Sequence, residues 1–203
     1  MTTPPATNLT QRMRRLVSAE LTEAALRLMA ADGFDAVTID QIAAAAGVSR
    51  RTFFRHYASK EDVVVRFLTD MGADITATLS ARPAGEPPSV ALRHALGVPL
   101  AACAGAHERA RQVVGLILGT PALLARFLER QSQWQDDLAA ALAERLGTED
   151  GDLYPRMAAG MALTAFDTAL HRWNDGGHDD PGVLADRAFA IIAPALDAVE
   201  RTA

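Results

Sequence analysis

The twenty residues from Thr38 to Tyr57, TIDQIAAAAGVSRRTFFRHY, hold the densest chemistry in the chain. Arg50, Arg51 and Arg55 fall within two helical turns, together with Thr52, Phe54 and His56. The chemistry that such a cluster offers is the binding of an anion. A cluster of like charge repels itself until something negative neutralises it, and the phosphates of a nucleic acid can do so. A solvated basic face on an ordinary helical hairpin is the plainer alternative.

The elements that position this cluster are written in the same segment. Thr38-Ile39-Asp40-Gln41 has the form of a capping box, in which the threonine hydroxyl takes an amide proton and Gln41 reaches back. The short helix it opens runs to Ala46 and stops at Gly47, which supplies the backbone conformation of a tight turn. Ser49 caps a second short helix that extends to about Tyr57. Ala43 is small where the helices cross, and Ile42, Val48 and Phe53 face inward. The opposite face of the second helix is then presented for a major groove, as in a helix-turn-helix. Around this pair, the spacing of Val17, Leu21, Ala24, Leu28 and Ala31 predicts a first helix from about Thr10 to Ala31, closed by Asp32-Gly33. Ser59, followed by Lys60-Glu61-Asp62, predicts a fourth helix to about Leu79.

The rest of the chain sets bounds. Its 203 residues, 49% of them hydrophobic, suit an all-α unit with a small head on a larger body. Net charge is −5, but residues 1–66 carry nine basic and seven acidic side chains while residues 67–203 carry eleven and eighteen. A slightly basic head on an acidic body is what a local phosphate-binding surface requires. The expected division is a disordered tail over 1–9, a DNA-binding head over 10–66 and a helical body over 67–203, to which the resemblance described below assigns ligand binding and dimerisation. Helices are expected from Ser89, near His107, at Thr120-Pro121, at Asp152 and at Asp180-Pro181, with Pro99 and Pro194 kinking or interrupting two of them. Gly72 marks either a soft point in the fourth helix or a structural accident.

Several function classes find no support. There is no phosphate-binding glycine loop, nucleophile elbow or HExxH, so no enzyme, cofactor or metal is expected. Asp167 and His171, at i and i+4, read as a hydrogen-bonded pair. The single cysteine, Cys103, sits in an apolar stretch and reads as an inert buried thiol suited to a reducing cytoplasm. The longest uncharged stretch, Gln112 to Ala125, is too short to span a bilayer, and no signal peptide opens the chain. The expected location is the bacterial cytoplasm, at the nucleoid.

From Leu16 to Val65 the chain resembles the DNA-binding domain of the tetracycline-repressor (TetR) family. The resemblance rests on Ala31-Asp32-Gly33-Phe34, Thr38-Ile39, Ile42-Ala43, Ala46-Gly47-Val48-Ser49, Thr52-Phe53-Phe54, Tyr57 and Ser59-Lys60-Glu61. It implies a homodimeric one-component regulator that binds double-stranded DNA through a three-helix N-terminal domain and is released by a small molecule held in a C-terminal helical bundle. Carried over position by position, Arg51 and Thr52 are the readers of base edges, Arg51 by a bidentate bond to guanine and Thr52 by its methyl against thymine. Thr38, Ser49, Arg50, Phe54, Arg55, His56 and Lys60 are the phosphate-positioning groups. Tyrosine is common in the family where Phe54 stands, so a phenol hydroxyl is missing there. Arg12, Arg14 and Arg15 are further candidates for backbone or minor-groove contacts.

The body resembles, more weakly, regulators with acyl-CoA-like effectors. On that resemblance Leu96, Leu100, Cys103, Leu116, Phe127, Trp134, Met161 and Phe166 are candidate pocket residues, with Arg126 or Arg130 at an anionic end of the ligand. The helices over 152–174 and 181–202 are the natural dimer pair, with Met157, Met161, Ala165, Leu170, Ile191 and Leu196 on the interface. The first of them reads as apolar nearly all round, which suggests two buried faces. A two-fold protein then reads a palindromic operator. Repression and activation, and control by a small molecule or by a protein partner, remain open on these residues.

Overall fold

Amphipathic helices joined by short, proline- or glycine-marked turns account for the whole architecture. A computed structural model describes residues 6–104, 107–148, 153–176 and 180–198. Among these the elements are α1 (Ala6–Asp32), α2 (Ile39–Ala45), α3 (Arg50–His56), α4 (Lys60–Ala81), α5 (Pro88–Ala104), α6 (His107–Gly119), α7 (Pro121–Leu146), α8 (Leu153–Asn174) and α9 (Pro181–Leu196), with no strand. The all-α class is as the sequence predicts, and no single helix is long and apolar enough to cross a membrane.

Three local expectations are corrected. α1 starts at Ala6, so four of the nine residues expected to be disordered are helical; Thr7 to Thr10 contain no breaker, and a nucleated helix extends cheaply. Its buried face runs through Leu21, Ala25 and Met29 rather than through Ala31, which is exposed. Of the kink or interruption expected at Pro99 and Pro194, interruption does not occur: α5 and α9 continue through both residues. The expected cap at Asp152, the end of the last helix near Thr202 and the first five residues lie outside the described residues.

α4 is the connecting member of the fold. It passes unbroken from the head into the body, where it packs on α7 and α5, while α1 reaches both α4 and α6. α8 lies against α7 and α9, α5 lies against α9, and α6 and α7 meet at 95° around Thr120-Pro121. Ser89 ties the start of α5 to the end of α9, its hydroxyl 2.7 Å and its amide 3.0 Å from the Asp197 carboxylate. Gly72 has a definite role in α4. A Cβ there would lie 2.1 Å from Trp134 Nε1, so the absent side chain is the notch that seats the α7 indole.

Candidate nucleic-acid interface and effector cavity

α2 and α3 are both capped by the residues the sequence singles out. Gln41 N donates to Thr38 Oγ1 (3.3 Å) and Thr38 N donates to Gln41 Oε1 (2.8 Å), closing the capping box. Gly47 takes φ +66°, and the chain turns so that Val48 N donates to the Ala43 carbonyl at 2.9 Å. Ser49 Oγ accepts from Thr52 N (3.1 Å) and lies 2.9 Å from Thr52 Oγ1. Ile42 and Phe53 are wholly buried, Ala43 is 2% exposed, and Val48 is half-buried. Together they fix the angle between the two helices.

α3 is anchored from its far end by Tyr57. The phenol hydroxyl lies 2.6 Å from Ser18 Oγ and 2.9 Å from Thr22 Oγ1, and donates to the Ser18 carbonyl at 3.2 Å. Its ring stacks at a tilt on Phe53, 5.7 Å between centroids. The reading helix is therefore bolted to α1 as well as to α2.

Outward from this frame point Arg51 and Arg55, both exposed and neither with an ion-pair partner among the described residues. Arg50 differs. Its guanidinium pairs with Asp40 at 2.9 Å and lies 5.5 Å from the centre of the Phe54 ring, so Asp40 offsets part of the positive face. Phe54 is 47% exposed, a large apolar ring held at the surface between charged neighbours. His56 sits below its ordinary pKa of 6.5, through burial first and then the charges of Arg55 and Arg14. Lys60 is turned away from the cluster. Its ammonium donates to the carbonyls of Phe34 (2.6 Å) and Val37 (3.2 Å) and lies 4.4 Å from the Phe34 ring centre, clamping α4 to the α1–α2 connection.

The body contains an open apolar cavity of about 450 Å³ bounded by α1, α4, α5, α6, α7 and α8. Phe67, Leu68, Met71, Val98, Pro99, Leu100, Val113, Val114, Ile117, Phe127, Phe166 and Leu170 form its wall, and Asp70, Asp74 and Arg109 are its charged members. Of the pocket residues expected from sequence, Leu100, Phe127 and Phe166 line it. Leu96 and Trp134 are core, Leu116 packs at the core edge, and Met161 lines a separate cleft between α8 and α9. Arg126 pairs with Glu129 (3.0 Å), and Arg130 bonds Gln133 Oε1 (2.6 Å); neither reaches the cavity. The side chain of Cys103 lies outside the described residues. The arginine that does face the cavity, Arg109, comes from α6, and nothing in its local sequence distinguishes it.

The α8–α9 surface corrects the interface expectation in part. Met157 (60% exposed) and Ile191 (80% exposed) stand out from the protomer, and Met161 lies beside them in the α8–α9 cleft. Leu196 is wholly buried and Leu170 is a cavity wall residue, while Ala165, 5% exposed, lines the α8–α9 cleft with Met161. The alanines at 158, 159, 162, 165 and 169 are inside the protomer. The outer face of α8 is not apolar all round, since Arg156, Thr164, Thr168, His171 and Arg172 are exposed there. His171 Nδ1 is 3.0 Å from the Asp167 carbonyl and 3.4 Å from its carboxylate, the pair expected, and no group of three potential metal ligands occurs among the described residues.

A capped helix pair with a tight glycine turn and an exposed arginine face, attached to a helical bundle that holds an apolar cavity, is the architecture of a helix-turn-helix transcriptional regulator. Residues 21–67 match the model of bacterial regulatory proteins of the tetR family, and residues 86–197 match the MftR C-terminal domain. The chain belongs to the tetR family. It is 38% identical to the HTH-type transcriptional regulator TcmR of Streptomyces glaucescens over 84% of this chain and 79% of that protein. With the regulator MftR of Mycobacterium tuberculosis it shares 32% identity over 92% and 94% of the two chains. The fold is shared with FadR of Bacillus subtilis, solved with stearoyl-CoA (TM-score 0.64, 21% identity, 86% and 97% covered). It is shared also with SmeT, the repressor of the Stenotrophomonas maltophilia efflux pump SmeDEF (TM-score 0.63, 19% identity, 88% and 89% covered).

Proposed function

We propose that the chain is a homodimeric, non-enzymatic repressor that binds a palindromic operator through residues 10–66 and is released when an apolar small molecule fills the cavity of residues 67–203. The observation that carries this reading is the cavity wall itself. Phe67, Leu68 and Met71 lie on α4, the same helix whose first residue clamps the head, so a ligand pressing on that wall acts on the reading helices. Arg51 and Thr52 read base edges in this scheme. Thr38, Ser49, Arg50, Phe54, Arg55 and His56 hold the phosphates, and Lys60 acts through the clamp. The cavity falls in the range of about 300–1,000 Å³ typical of small-molecule sites. Stearoyl-CoA in the related FadR fold supports an acyl effector.

The second copy packs on Met157, Met161, Ala188, Ile191 and Ile192, an apolar strip left open along α8 and α9. A two-fold related pair of such strips forms a four-helix contact and sets the two α3 helices one turn of DNA apart. The test combines two measurements on the full chain. Sedimentation must show a dimer that Ile191→Asp converts to a monomer with loss of operator affinity. Operator binding must weaken on addition of a long-chain acyl compound to the wild type and resist it in Val114→Trp, where the cavity is filled. A wild-type monomer, or DNA binding indifferent to the cavity substitution, contradicts the scheme.

A further inference from the structure

A second opening, of about 850 Å³, adjoins the apolar cavity on the side of the head. It is bounded by α1, the end of α3, α4 and the start of α6, and its wall mixes apolar surface with charged side chains. Arg14, Arg15, Arg66 and Arg109 face it, against two acids, Glu23 and Asp70. Glu23 is engaged by Arg109 at 3.2 Å and Asp70 by Arg66 at 3.1 Å, both in exposed and hence weakly held pairs. Arg14 and Arg15 are exposed and have no ion-pair partner among the described residues. His56 at the same wall is held below its ordinary pKa by burial first and then by the charges of Arg55 and Arg14.

The two spaces meet. Leu26, Phe67, Asp70 and Arg109 line both of them, so one ligand can occupy the apolar cavity with its apolar part and the arginine-lined groove with its polar end. From this juxtaposition we infer a two-part effector site. The ligand is an amphiphilic anion whose chain fills the cavity and whose phosphate or carboxylate head lies in the α1–α4 groove on Arg14 and Arg15, directly against the end of the reading helix. The inference rests on the proposed effector role of the cavity and adds the head-group site. It moves the anion-binding arginines from Arg126 and Arg130 on α7 to α1. Arg109 is the residue at the junction. An anionic head competes with Glu23 for it, and the Arg109–Glu23 pair is a bridge between α6 and α1. Effector binding at this site thus reaches the head through α1 as well as through α4.

The test uses the full chain without DNA and four twelve-carbon probes in calorimetric titration: lauroyl-CoA, laurate, 1-dodecanol and dodecyltrimethylammonium. At least one anion should bind about tenfold or more tighter than dodecanol, with the preference shrinking at high salt. A tighter thioester assigns the groove to phosphates, and tighter laurate assigns it to a carboxylate. The Arg14→Ala/Arg15→Ala double variant should bring the anion to within about threefold of the alcohol. Dodecanol or the ammonium matching the anions, or a preference that survives the double variant, overturns the head-group site. Val114→Trp separates this from failure of the cavity itself. Equal binding of all chains, blocked by Val114→Trp, leaves the effector cavity standing and removes only the groove. Binding of none of the four, or binding that Val114→Trp does not weaken, removes both.

Discussion

Substituting Gly72 by alanine puts one methyl group where α4 receives Trp134. The added Cβ would stand 2.1 Å from the indole Nε1 and 2.3 Å from Cδ1, against about 3.5–4.0 Å for comfortable contact. More than an ångström of relief is needed, and Trp134 has little room to give it. The side chain is 2% exposed and meets the Phe127 ring edge-on at 6.0 Å. Overfilling a tight core costs about 1–3 kcal/mol, while alanine in place of a mid-helix glycine returns about 0.5–1 kcal/mol. The variant should therefore be destabilised by about 1–2 kcal/mol, and each kcal/mol lowers Tm by about 2–4 °C in a chain of this size. Chemical denaturation of the wild type and variant, each also in a Trp134→Leu background, measures the effect and its origin. With the indole gone, the same glycine substitution should become neutral or stabilising by about 0.5–1 kcal/mol. A stabilised single variant, or an equal loss in both backgrounds, refutes the notch.

Three further outcomes follow from the head. Arg51→Ala should cost about 1–3 kcal/mol of operator affinity but little affinity for scrambled DNA, so that an anisotropy titration shows discrimination falling about tenfold to hundredfold. Asp40→Ala should strengthen binding to any DNA by a few fold, because it unties Arg50 and removes a negative charge from the phosphate-facing side; the exposed pair itself contributes under about 1 kcal/mol to stability. His56 is a base whose folded pKa lies below its ordinary 6.5. Its contribution to stability is complete above pH 6.5 and is lost as pH falls from there through the folded value, because the unfolded chain takes up the proton first. A phosphate nearby favours the protonated ring, so operator affinity should rise severalfold over the same fall in pH while thermal stability drops. His56→Gln should flatten both profiles.

What could be read from the sequence is what is encoded over three or four residues. The caps of α2, α3 and α4 are legible because Thr38–Gln41, Ser49–Thr52 and Ser59–Asp62 each close within one turn, and Gly47 is legible because the turn needs a positive φ. Contacts made across the chain were not. Lys60 looks like any basic residue at a helix start, and its carbonyl partners lie 26 and 23 positions away. Gly72 and Arg109 have partners on other helices, so periodicity is silent about them. On α8 it misleads: ten buried residues crowd the helix, so an apolar pattern could not separate Leu170, facing the cavity, from Met157, facing outward.

The clamp of Lys60 on the Phe34 and Val37 carbonyls turns α4 into a lever arm. α4 has 22 residues, and at about 1.5 Å per residue it is roughly 33 Å long. A tilt of about 5° about its Ala81 end becomes about 3 Å of travel at the head, with the Lys60 clamp holding the joint. In the proposed two-fold dimer the heads would travel in opposite senses, and their separation would change by about 6 Å, nearly two base-pair steps of about 3.4 Å each. A displacement of about 1 Å at Met71 in the cavity wall would thereby be geared up to a mismatch with the pitch of the double helix.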